Sequence, residues 1–146
     1  MKVKLQQPKL IGRRERISFP ELSLFGIEAK IDTGAYTTTI HCHDIILKEI
    51  NGKDVLCFKL LDPEHPEYAD KELRFENYKL KTFKNSFGEQ ESRYVVQTLI
   101  KLGNRKIRGA VSLTSRAGMR YPVLLGRKIL KGRFHVDVSA EYLLKS

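Results

Sequence analysis

The sequence predicts an all-β fold, a sandwich or a barrel, and three observations carry that expectation. Short runs enriched in β-branched and aromatic residues recur at 28–31, 37–42, 55–60, 72–75, 94–102, 106–113 and 121–125, and several alternate apolar with polar positions, most clearly over 106–113. Period-two alternation puts one set of side chains on a buried face and the other in water. Between such runs stand the turn pairs Asn51-Gly52 and Gly103-Asn104, whose residues tolerate the positive φ that a tight hairpin demands. Only the segment 126–133 reads as a helix, a short one opened by Gly126 and closed by Gly132.

In chain order, the run at 28–31 leads directly into Asp32-Thr33-Gly34, and the runs flanking each turn pair can form antiparallel hairpins. Residues 62–70 contain Pro63 and Pro66 and the densest acidic content of the chain, so they read as a surface loop. Residues 79–93 are polar, with Phe83 and Phe87 among them and Ser86-Phe87-Gly88 at the centre. A mobile hairpin with 85–88 near its tip accounts for this composition, and an ordinary exposed loop does so nearly as well. After the helix, 134–138 resembles a final strand. No repeat, low-complexity tract or linker divides the chain, so 1–146 is read as one domain, with 1–9 as a flexible N-terminal arm.

At 146 residues the chain encloses one core and is too short for two ordinary catalytic domains. It has no stretch of about 18 apolar residues and no apolar segment after Met1, so neither a membrane span nor a signal peptide is expected and a cytoplasmic location is. Cys42 and Cys57 suit that compartment as two small buried residues. The charge is +10, from 27 basic and 17 acidic residues, and it is unevenly placed. Residues 94–136 hold Lys101, Arg105, Lys106, Arg108, Arg116, Arg120, Arg127, Lys128, Lys131 and Arg133 with no Asp or Glu, while the rest of the chain is balanced. A local anionic partner follows from such a distribution. Nucleic acid, an acidic peptide and plain solubility all satisfy it.

Several familiar sites are absent: a phosphate loop, a dinucleotide-binding glycine pattern, a His-Glu-x-x-His pair and a Gly-x-Ser-x-Gly elbow. His41-Cys42-His43 is a metal candidate. On a strand, however, His41 and His43 share one face and Cys42 takes the other, and Cys57, His65 and His135 show no paired spacing. The structural reading is preferred, and no metal or other cofactor is expected. Asp32-Thr33-Gly34-Ala35 is the sharper signal. The apolar residues before it put Asp32 at the end of a buried strand, where a carboxylate is costly unless hydrogen-bonded or used. Thr33 offers a hydroxyl to tie down the turn, and Gly34 permits close backbone approach to the acid. Two such carboxylates brought together share one proton, so one serves as a base for water and the other as an acid. A turn Asp capping its own backbone is the plainer alternative.

A second element raises the signal: Pro122-Val123-Leu124-Leu125-Gly126-Arg127 runs into the short helix about ninety residues later. The order Asp-Thr-Gly-Ala, polar hairpin, strands, then Leu124-Leu125-Gly126-Arg127 resembles the retropepsin family of aspartic peptidases. The wider match is to a bacterial group of small retropepsin-like proteins labelled "ATP-dependent zinc protease" and associated with ATP-grasp glutamate ligases of the ribosomal S6 modification type. It is carried by Ile11-Gly12-Arg13-Arg14-Glu15, Pro20-Glu21-Leu22, Ala29 to Ala35, Met119 to Arg127 and Gly132-Arg133-Phe134. The resemblance implies a retropepsin-like closed barrel, Asp32 as the catalytic acid supported by Thr33, Gly34 and Ala35, and Leu124, Leu125 and Gly126 as the floor beneath it. Where many viral members carry an acidic residue two positions after the glycine, this chain has Tyr36, so the contact that residue makes with the arginine of the Gly-Arg pair is absent or replaced.

One Asp-Thr-Gly supplies one carboxylate, and the dyad needs two. The first expectation is thus a homodimer in which a second copy of the chain lends its own Asp32. The hairpin 82–93 serves as a flap, with Phe87 and Gly88 meeting a peptide or protein substrate. Association with glutamate ligases makes acidic or oligoglutamate-tailed chains one substrate class, with Arg116, Arg120 and Arg127 as candidate contacts. Arg127 serves equally as a structural partner of the helix or dimer. Two alternatives stand beside this one: a catalytically silent β-barrel binding an acidic partner or RNA, and a zinc hydrolase using His41, His43 and Asp32. Nucleic acid is not the preferred partner, because clustered exposed aromatics and recognised motifs are missing.

Overall fold

Residues 7–85, 87–115 and 120–145 are described by the computed structural model. The chain runs through β1 (Lys9–Gly12), β2 (Arg14–Phe19), a 3-10 turn (Pro20–Leu22), β3 (Leu24–Ile31), β4 (Thr38–Ile50), β5 (Lys53–Leu60), β6 (Leu73–Phe75), β7 (Lys79–Lys84), β8 (Gln90–Leu102), β9 (Arg105–Thr114), β10 (Val123–Leu125), α1 (Arg127–Leu130) and β11 (Phe134–Asp137). Both predicted turn pairs close hairpins. Asn51 and Gly52 take φ of 53° and 77° between β4 and β5, and Gly103 takes 62° between β8 and β9. Residues 62–70 form the expected loop, and the helix is shorter than predicted, with Gly126 as its N-cap and 131–133 as a turn.

Pairing closes a ring: β10 with β3, β3 with β2, β2 with β8, β8 with β9, β9 with β4, and β4 back to β10. The fold is the all-β closed barrel expected, with a single short α-helix among the described residues. Ring closure leaves no free edge among those strands. Inside pack Ile17, Phe19, Ile27, Ile40, Phe58, Ile100, Val111 and Leu125, all nearly or fully buried. The first half of β4, 38–42, is buried throughout because it lies within the ring, and the second half is mostly exposed and pairs with β5, which is buried over 55–58. No helix among the described residues is long and apolar enough to cross a membrane.

One feature of the topology creates the site. β3 and β4 follow one another in sequence, yet β10 lies between them, parallel to β3 and antiparallel to β4. The connection 32–37 must therefore arch over the end of β10, and Asp32 stands at the start of that arch.

The two ends of the described chain meet. β1 pairs in parallel with β11, from Lys9 opposite Phe134 to Gly12 opposite Asp137. Arg105, buried within β9, donates from Nη1 to the Arg133 carbonyl at 2.6 Å, from Nη2 to the Gln7 carbonyl, and lies over the Phe134 ring. Residues 7–9 of the predicted arm are thus packed onto the fold, and the rest of it lies outside the described residues. Beyond β11, 138–145 returns across β2. There Glu15, 1% exposed, accepts the backbone N–H groups of Gly12, Leu143 and Leu144 at 2.7, 2.9 and 3.1 Å. A buried carboxylate survives only when its oxygens are satisfied in this way.

Candidate active site

The arch is held by its backbone, from below and from behind. The Asp32 N–H donates to the Leu125 carbonyl at 2.9 Å, extending the β3–β10 ladder one residue beyond the strand. Gly126 follows directly, and a Cβ there would stand 2.6 Å from the Tyr36 carbonyl oxygen and 2.7 Å from the Thr37 carbonyl carbon, so the close approach excludes any side chain. The Gly126 N–H donates to the Thr38 hydroxyl at 3.1 Å in a buried setting. The first residues of α1 take the arch carbonyls: Arg127 N–H to Ala35 at 2.8 Å, Lys128 N–H to Tyr36 at 3.0 Å, and Arg127 Nη1 to Thr33 at 2.9 Å. Beneath, Thr39 and Ser112 bridge β4 to β9 through their hydroxyls at 2.7 Å.

Among the described residues, one internal bond reaches the Asp32 carboxylate. Oδ1 accepts the Gly34 N–H at 3.1 Å, and a Cβ on Gly34 would come within 3.3 Å of that oxygen. Asp32 is half-buried, and no ion pair to it occurs among the described residues. Its backbone is fixed while its second oxygen has no hydrogen-bond partner among the described residues, an arrangement suited to holding a water or a second carboxyl group. Thr33 departs from expectation. It is exposed and enters the clamp through its carbonyl, whereas the hydroxyl that ties the turn down belongs to Thr38, whose side chain points inward along β4.

Tyr36 resolves the contact left open by its replacement of an acid. The Arg127 guanidinium carbon lies 5.8 Å from the centroid of the Tyr36 ring, a cation–π contact worth about 0.5–1 kcal/mol at an exposed position. Arg127 is therefore a structural partner of the arch, and its exposed guanidinium also borders it. Arg120 is exposed and lies 5.6 Å from the Tyr121 ring, whose neighbourhood Arg14 shares at 6.0 Å. Arg116 and Met119 lie outside the described residues.

The segment expected to form a flap is a hairpin of β7 and β8. Asn85 builds its tip, accepting the Phe87 and Glu89 N–H groups on Oδ1 at 2.9 and 3.0 Å, while Gly88 takes φ of 79°. Phe87 is 88% exposed. Ser86 lies outside the described residues.

The histidine pair does not fit a zinc ion. His43 donates from Nδ1 to the Leu61 carbonyl at 2.8 Å and faces the Tyr68 hydroxyl with Nε2 at 3.4 Å. His41 is buried with its Nδ1 unpartnered, and burial pushes the imidazole below its ordinary pKa, against an opposing pull from Asp62. No three of His, Cys, Asp or Glu converge as metal ligands among the described residues. Cys42 and Cys57 are free, buried thiols, as expected, and burial raises the pKa of both.

Four of the ten cations in 94–136, Arg105, Arg108, Arg127 and Arg133, hydrogen-bond within the molecule. Arg105, Arg127 and Arg133 spend hydrogen bonds on backbone carbonyls, Arg133 on those of Lys128 and Ile129 at 3.3 and 3.2 Å. Arg108 grips Glu21 at 3.0 and 2.5 Å. These four side chains fasten the fold, which the linear sequence does not show.

Comparison with known proteins agrees with this geometry. Residues 10–146 match the RimB-like family, described as retropepsin-like aspartic endopeptidase RimB. A protein of Shewanella pealeana named probable alpha-L-glutamate ligase is 34% identical over 139 residues, covering 92% of this chain and 30% of that protein. One of Desulfotalea psychrophila with the same name is 31% identical over 140 residues, covering 93% and 29%. The chain thus spans about a third or less of the length of these curated relatives. A crystal structure of a Legionella pneumophila protein of unknown function superposes with a TM-score of 0.70 at 27% identity, covering 92% of this chain and 97% of that one.

Proposed function

The chain belongs to the RimB-like family of retropepsin-like aspartic endopeptidases, and on that footing we propose that it hydrolyses peptide bonds as a homodimer sharing two Asp32 carboxyl groups. The observation that carries this reading is the arch: a carboxylate whose backbone is bonded into β10 and α1, with one oxygen bound to Gly34 and the other without a partner among the described residues. One such group is half a dyad. A two-fold axis beside the arch supplies the other.

In the pair, one carboxylate takes a proton from water while the other, protonated, hydrogen-bonds the scissile carbonyl oxygen. Hydroxide oxygen bonds to the carbonyl carbon. Collapse of the tetrahedral intermediate breaks the C–N bond, and a proton passes to the departing nitrogen. Thr33, Gly34 and Ala35 hold the acid, Leu124, Leu125 and Gly126 support it from below, and the β7–β8 hairpin closes over the substrate with Phe87 and Gly88 at its tip. Arg120 and Arg127, with Arg116, favour acidic substrates. The names of the curated relatives support the same class, since ligation of α-linked glutamate makes bonds that a peptidase of this kind can break. Free buried thiols accord with a reducing, cytoplasmic setting.

Replacing Asp32 by Asn tests the mechanism. Hydrolysis of an α-linked glutamate peptide is expected to fall to background with the thermal midpoint retained. Turnover equal to that of the parent chain overturns the reading.

A further inference from the structure

A groove of about 970 Å3 lies where the β6–β7 connection and β7 meet β8, β9 and α1, and no residue of the Asp32 arch lines it. Its walls include Arg74, Lys79, Lys81, Arg108 and Lys128 against a single lining carboxylate, Glu76. Two of the five cations are engaged within the molecule, Arg108 with Glu21 and Arg74 with Glu72 at 3.1 Å. Lys79, Lys81 and Lys128 have no carboxylate partner among the described residues. Three of these cations lie outside the basic stretch 94–136, so the sheet, not the sequence, gathers the cluster.

The geometry narrows the ligand. Lys79 and Lys81 are two apart on one strand, so they project on the same face at a spacing of roughly 7 Å. An extended polypeptide repeats alternate side chains at the same interval, and alternate residues of a glutamate run therefore present carboxylates in register with these lysines. Among the described residues β7 pairs only with β8, which leaves its other edge of N–H and C=O groups open to strand addition. Nucleic acid suits the groove less well. The Tyr78 ring, the one tyrosine lining it, is packed edge-on against Tyr94 at 5.8 Å and is not a free stacking platform.

We propose that this groove is a docking site for an extended, glutamate-rich polypeptide segment, separate from the Asp32 arch. Binding here does not require that the chain cleave anything, so the site stands or falls apart from the peptidase reading.

The test is fluorescence anisotropy with a labelled deca-glutamate peptide, titrated with the full chain and with its Asp32→Asn form. Lys79→Ala, Lys81→Ala and Lys128→Ala in combination should weaken binding at least tenfold, with the thermal midpoint unchanged. The same loss of charge at Lys101, Lys106 and Lys131 should weaken it less than threefold, and arginines at the three groove positions should restore it. Equal losses in the two triple variants, no loss in the groove variant, or tighter binding of a uridine decamer that depends on the same three lysines would each overturn the proposal. Binding without hydrolysis would leave it intact and count against the peptidase reading alone.

Discussion

Thr38 and Gly126 meet where the arch crosses β10, and neither announces itself in the sequence. Three threonines stand in a row at 37–39, chemically alike, and only the pleat of β4 decides that the Thr38 hydroxyl faces the Gly126 N–H. Replacement of Thr38 by Val keeps the shape and removes the acceptor, leaving a buried donor unsatisfied. Stability is expected to fall by about 1–3 kcal/mol, read from the urea midpoint, with activity falling further because the arch loses its rear support. Asp32 and Gly34 were legible because their residue types are scarce in that order. Tyr36 was legible only as a departure, since its answering contact with Arg127 spans ninety positions of sequence.

At the level of elements, the returning tail shows what a buried charge can organise. Glu15 accepts three backbone N–H groups and joins β1 to residues 143 and 144. An amide at that position offers one acceptor and places an NH2 among donors. Glu15→Gln should cost on the order of 1–3 kcal/mol and release hydrogen-exchange protection at Leu143 and Leu144 before the barrel opens. Protection unchanged at both amides would show that the tail is held by other contacts. The hairpins were readable element by element, because Asn-Gly and Gly-Asn impose their turns locally. β1 and the tail were not, because their partners lie more than a hundred residues away.

For the whole molecule, β1 and β11 pair with each other inside one chain. The barrel is complete in a single copy, while the proposed dyad is not. Dilution is therefore expected to reduce specific activity steeply as dimer dissociates, whereas circular dichroism and the thermal midpoint change by no more than mass action at the interface requires. Unfolding that tracks the loss of activity would show that fold and dimer are inseparable. The basic charge belongs at this scale as well. Its density along 94–136 is a property of the sequence, yet four arginines of that stretch serve the fold, and the groove by α1 recruits Lys79 and Lys81 from outside it.

The sequence alone determined the all-β class, the hairpin turns, the short helix and the acid at the end of a strand, although that strand buries only one face, because each depends on residues close together in the chain. Tertiary structure decided that β10 separates β3 from β4 and so raises the arch, that Thr38 rather than Thr33 braces it, and that Tyr36 answers Arg127. Those outcomes depend on which strand lies beside which, and strand adjacency is fixed only when the whole apolar set is buried at once.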